Sequence, residues 1–80
     1  MTITDRLESM KRNDLNVAHF SSVDVISNHD GNYIVLHSSG TTIDVIFYRS
    51  AADYVDHIGT ILCTKGSYSK CLELAQAILE

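Results

Sequence analysis

The sequence predicts an α+β fold in two layers: a short N-terminal helix, a three-stranded antiparallel meander and two C-terminal helices (α-β-β-β-α-α). Three observations carry that prediction. Apolar residues recur at helical spacing near both ends of the chain, β-branched runs fill the middle, and short polar turns around Asp30-Gly31 and Gly40 join those runs. Residues 1–80 are read as a single domain, since 80 residues leave room for one modest core and no more.

The first segment is a helix by its ends and its spacing. Thr2 is a capping residue with Asp5 three positions later, the pattern of a capping box. Ile3, Leu7 and Met10 share a face, Lys11 and Arg12 suit the negative end of the helix dipole, and Asn13 is a plausible stop.

The middle of the chain reads as strands. Leu15 to Phe20 and Val23 to Ser27 form a first β segment, with Ser21-Ser22 marking a bulge or bend between them. His29-Asp30-Gly31-Asn32 is a turn, because Asp-Gly tolerates the positive φ of a tight hairpin. Tyr33 to His37 is the second strand, and its unbroken Ile34-Val35-Leu36 run marks it as central. Ser38 to Thr41 turns the chain again, into a third strand from Thr42 to Arg49.

Two of these strands carry nearly the same pattern, Ser21-Ser22-Val23-Asp24-Val25-Ile26 and Thr41-Thr42-Ile43-Asp44-Val45-Ile46. Side chains alternate across a strand. With Ile43, Val45 and Phe47 turned toward the helices, Asp44, Ile46 and Tyr48 face away. By the same pattern Val23 and Val25 point inward, and Asp24 and Ile26 outward. The central strand adds either Tyr33, Val35 and His37 or Ile34 and Leu36. The outer face is then mixed apolar, aromatic and acidic, as contact surfaces often are, unless a helix wraps onto it.

The C-terminal third reads as helical. Ser50 caps a segment with Asp53 at its third position, and Ala51, Val55, Ile58 and Leu62 share a face, which predicts a helix from Ser50 to Cys63. Gly66 breaks the chain. A last helix begins at Ser67 or Ser69 and buries Leu72, Ala75, Ile78 and Leu79, with Leu74 widening the face.

Composition narrows the function classes. Net charge is −4, with only six scattered Lys and Arg, which argues against direct nucleic-acid binding. The N-terminal residues lack an apolar signal region and no run approaches a membrane span, so the cytoplasm is the expected compartment and no membrane partner is expected. Cys63 and Cys71 are then expected to be reduced. No Cys-x-x-Cys or His-Glu-x-x-His occurs, and His19, His29, His37 and His57 have no ligand spacing to a carboxylate or cysteine, so neither metal nor cofactor is expected. His57 and Cys63 are six residues apart and, on a helix, point to different faces. Cys71 near a helix start is the better nucleophile candidate, against the simpler reading of a packed side chain. Thr64 to Lys70 resembles an anion-binding loop in residue type but lacks the phosphate-loop pattern. No enzyme activity is expected. Asp24 and Asp44, on strands flanking a central one, are on the order of 10 Å apart, which serves an acidic contact surface better than acid–base chemistry. Asp53 and Asp56 extend that acidity.

Two resemblances bear on function. The helix, three-stranded meander and C-terminal helix, with Gly66-Ser67-Tyr68-Ser69-Lys70-Cys71 before Ala75 and Ala77, resembles double-stranded-RNA-binding domains. The extra segment from Ser50 to Cys63 and the reduction of the basic cluster to Lys65 and Lys70 depart from that family. In size, acidity and layout the whole chain resembles small phage-encoded inhibitors of bacterial defence, including anti-CRISPR proteins. That resemblance implies a stoichiometric inhibitor of a nucleic-acid-processing complex, with acids meeting a basic protein surface in the host cytoplasm. The expected contact residues are Asp24, Asp44, Ile46, Tyr48, Asp53 and Asp56. The alternative is a homodimeric structural or regulatory module paired through the same outer sheet face.

Overall fold

The computed structural model describes all 80 residues. Helix α1 (Ile3–Arg12) leads into strands β1 (Asn16–His19), β2 (Val23–Ser27), β3 (Tyr33–Ser39) and β4 (Thr42–Tyr48). A short helix α2 (Ala51–Val55), strand β5 (Thr60–Lys65) and helix α3 (Tyr68–Leu79) complete the chain. The class is α+β. The sheet has five strands, not three, in the order β1-β2-β3-β4-β5, every neighbour antiparallel.

The two added strands come from local chemistry. Ser21-Ser22 is the turn of a hairpin rather than a bend within one strand: Phe20 N–H donates to Val23 O at 2.8 Å, and Val17 and Ala18 pair with Ile26 and Val25. The expected helix from Ser50 to Cys63 stops after Val55. His57 takes φ 58°, and after Gly59 the chain runs as β5, where Thr60, Ile61 and Thr64 favour extended backbone.

The capped helices form as their ends dictate. The Thr2 side chain accepts from Asp5 N–H while the Asp5 carboxylate accepts from Thr2 N–H, a complete capping box. Asn13 closes α1, and Asp14 with φ 63° turns the chain into β1. The Ser50 and Ser67 hydroxyls accept from the third helical N–H groups of α2 and α3.

Helices α1 and α3 lie side by side over one face of the sheet, α3 against β3, β4 and β5 and α1 against β1. The apolar core between the layers is small: it clusters ten buried residues, with Met10, Ile26, Ile34, Leu36, Val45 and Leu72 its largest side chains. Burying each contributes about 1.5–3 kcal/mol. Gln76 is the one buried polar residue, and it joins the two helices: Arg6 Nη1 donates to its Oε1 at 2.8 Å and its Nε2 donates to Ser9 Oγ at 3.0 Å. Ile78, expected in the core, lies instead on the exposed flank of α3.

Candidate binding surface

Strand register decides which side chains reach the open face of the sheet. Ala18, Val25, Val35, Ile46 and Ile61 are successive cross-strand partners, so an apolar row crosses all five strands away from α1 and α3. With strands 4.7–4.9 Å apart, that row is roughly 19 Å long. On one side it is bordered by Val23, His37, Asp44 and Thr64, on the other by Asn16, Ser27, Tyr33 and Tyr48. No helix covers the row. The only element on this side is α2, at one corner, where the Tyr54 ring stacks on Tyr33 at 5.8 Å and meets Tyr48 edge-on at 5.3 Å.

The expected contact residues divide. Asp44, Ile46 and Tyr48 lie on the open face, half-buried among their neighbours, and Thr64 Oγ1 donates to Asp44 Oδ1 at 2.7 Å. Of the two sets offered for the central strand, the register selects Tyr33, Val35 and His37.

Asp24 does not belong with them. Val25 pairs with Val35, which pairs in turn with Ile46, so Val23 and Val25 face outward, while Asp24 and the fully buried Ile26 face the helices. A one-residue change of phase moves every side chain of a strand to the other face. The Asp24 carboxylate accepts from the Tyr68 hydroxyl at the start of α3, and His19 Nδ1 lies 3.0 Å from its other oxygen. Burial first, then this hydrogen bond and the charge of Asp24, hold the Tyr68 phenol well above its ordinary pKa. Asp24 thus ties β1, β2 and α3 together and is no part of the open face.

Asp53 and Asp56 sit at the corner made by α2. The Asp53 carboxylate lies 3.7 Å from Arg49 Nε, and Asp53 lines a shallow depression with Phe47, Ile58, Gly59 and Thr60. Asp56 is exposed at the end of α2. Reasoning on the sequence missed Val25 and Ile61 as surface residues. The available signals were the register of the β2–β3 hairpin and the β-branched Thr60-Ile61 pair.

Cys71 is fully buried, and burial, followed by the nearby Cys63 thiol, raises its pKa, with Lys65 opposing weakly. The helix start therefore does not yield an activated thiolate. No group of three or more His, Cys, Asp or Glu converges. Thr64 and Lys65 of the suspected anion loop belong to β5, and the Ser67 hydroxyl is used in capping α3. The strands added on both sides of the central three also depart from the three-stranded plan implied by the double-stranded-RNA-binding resemblance. No helix is long and apolar enough to cross a membrane.

Compared with known proteins, the chain matches no family model, no curated protein and no solved structure.

Proposed function

We propose that this chain is a non-catalytic binding module that acts by protein–protein contact through the open face of its sheet. The contact would block a larger nucleic-acid-processing complex, one chain to one complex. The observation that supports this reading is the row Ala18–Val25–Val35–Ile46–Ile61, which neither α1 nor α3 covers, with Val35 buried among its neighbours at the centre and Tyr33 and Tyr48 bordering it on one side and Asp44 on the other. An apolar strip with aromatic anchors and a polar border has the anatomy of an interface centre and rim. Asp44 at the border and a net charge of −4 fit a basic partner surface, of the kind that lines nucleic-acid grooves.

The test is a titration into DNA cleavage by a panel of purified RNA-guided nuclease complexes, with the wild type beside Asp44→Lys/Ile46→Lys. Both substituted positions lie on the open face and outside the core. Cleavage by a targeted complex should fall to zero near one chain per complex. The variant should inhibit at least about tenfold more weakly, a loss of about 1.4 kcal/mol. Inhibition by the variant equal to that of the wild type would remove the face from the mechanism. Untouched cleavage across the panel at excess chain would remove the inhibitor reading.

A further inference from the structure

We propose that two copies of this chain associate strand to strand through β5, antiparallel, to form one ten-stranded sheet. β5 is the open edge. One side pairs with β4 from Thr60 to Lys65, and five of its six residues are exposed. Alternate backbone N–H and C=O groups of an edge strand point away from the sheet and are available for pairing. The opposite edge is less available, since β1 has four residues and packs against α1.

Natural edges are guarded by proline, charges, short length or bulges. β5 has no proline and a single charge, Lys65, at its end, and its one irregularity is a bulge at Leu62, where Val45 and Ile46 pair with Cys63 and Ile61. Its apolar side chains stand in solvent: Ile61 is 63% exposed, Leu62 42%, and Ile58 just before the strand 61%. On the helix side the edge opens into a groove of about 670 Å³ between β5 and α3, whose apolar lining includes Leu62, Leu74, Ala77 and Ile78.

The features of this edge fit a second copy of itself. Two identical strands pair antiparallel about a two-fold axis normal to the sheet, and every contact then occurs twice. Charge runs the right way for that symmetry. Lys65 ends the strand, while near the Thr60 end stand exposed Asp56, on the turn before it, and Asp53, whose charge is shared with Arg49 in the neighbouring depression, leaving that end with one net negative charge. With Thr60 opposite Lys65, each lysine meets the acidic end of the other copy, whereas a parallel pair would set lysine beside lysine. The same axis keeps both α3 helices on one side of the sheet. The two grooves, which Lys65, Lys70 and Glu73 also line, then face each other and bring Leu62, Leu74 and Ile78 of both copies together. Self-association also supplements a core of only ten buried residues. This inference uses the edge and does not depend on the partner proposed for the open face, which the dimer would display twice on its other side.

An edge of six residues with a helix flank lies at the small end of stable interfaces, about 1,000–1,200 Å² in total, so a dimer of roughly micromolar affinity is expected. Sedimentation velocity on the full chain from about 1 to 200 μM tests it, a range that brackets such an affinity. The wild type should pass from monomer to dimer. Leu62→Lys/Ile78→Lys should remain monomeric with unchanged far-ultraviolet circular dichroism, Lys65→Glu should weaken the dimer at least about tenfold, and Asp44→Lys/Ile46→Lys should dimerise as the wild type does. Amide hydrogen exchange adds a readout independent of these substitutions: alternate β5 amides should become protected only at the higher concentration. A wild type that stays monomeric throughout overturns the proposal, as does a dimer that survives the Leu62→Lys/Ile78→Lys double substitution. Dimerisation lost only in the open-face variant would assign the contact to the face and overturn the edge.

Discussion

Replacing Asp24 by alanine separates the two acids that share a sequence pattern. The Asp24 side chain is only 14% exposed, and its carboxylate accepts from the Tyr68 hydroxyl while holding His19 at 3.0 Å. Its removal leaves the partly buried phenol of Tyr68 without an acceptor. Deleting one partner of a charge-assisted hydrogen bond costs about 2 kcal/mol. In a domain of this size that lowers the melting temperature by roughly 8–16 °C. Asp44→Ala removes one hydrogen bond, to the exposed Thr64, and should cost no more than about 0.5 kcal/mol. Thermal melts followed by circular dichroism measure both. A cycle with Tyr68→Phe isolates the contact, and its coupling energy should be about 1–2 kcal/mol. Equal costs for the two alanine variants, or a coupling near zero, would refute the placement of Asp24 beneath α3.

Two other perturbations follow from the geometry. A Cβ at Gly59 would lie 2.5 Å from Tyr48 Cε1 and 2.9 Å from Ile46 Cγ2, and the Tyr48 ring is held by Tyr54, so Gly59→Ala should destabilise by about 1–3 kcal/mol in urea unfolding; a neutral result would mean that Tyr48 is free to move. The raised pKa of Tyr68 gives the wild type stability that is complete at neutral pH and lost as the pH rises above about 10, because the folded state then holds the phenolic proton that the unfolded state has released. Tyr68→Phe lacks this proton and should show a shallower loss in urea melts between pH 9 and 11, with the other tyrosines common to both chains; identical slopes would contradict the shift.

The parts of the fold legible in the sequence are those written in local chemistry. The Thr2–Asp5 box, the Ser50 and Ser67 caps, the Asp30-Gly31 and Gly40 turns, and the phase of β4 all follow from residues within a few positions of one another. The errors came where pairing decides. Val23-Asp24-Val25-Ile26 looks like Ile43-Asp44-Val45-Ile46, but each hairpin sets its own register against β3, and the two copies sit out of phase. β5 was hidden because Ile58 and Leu62 continue the helical spacing of Ala51 and Val55. The break at His57 and Gly59, and extension of the sheet along β4, outweigh that periodicity. Of the six expected contact residues, Asp44, Ile46 and Tyr48 share the open face, Asp53 and Asp56 sit at its corner, and Asp24 lies beneath the helix.

The most direct test of the binding account is the methyl spectrum of the labelled chain mixed with a nuclease complex that it inhibits. Val25 and Ile26, Val35 and Ile34, and Ile46 and Val45 are neighbours in sequence whose methyl groups lie on opposite faces of the sheet. Contact through the open face should shift and broaden Val25, Val35, Ile46 and Ile61 while leaving Ile26, Ile34, Leu36 and Val45 in place. Perturbation confined to Leu7, Ile78 and the other methyls of α1 and α3, with the open-face set unchanged, would contradict it.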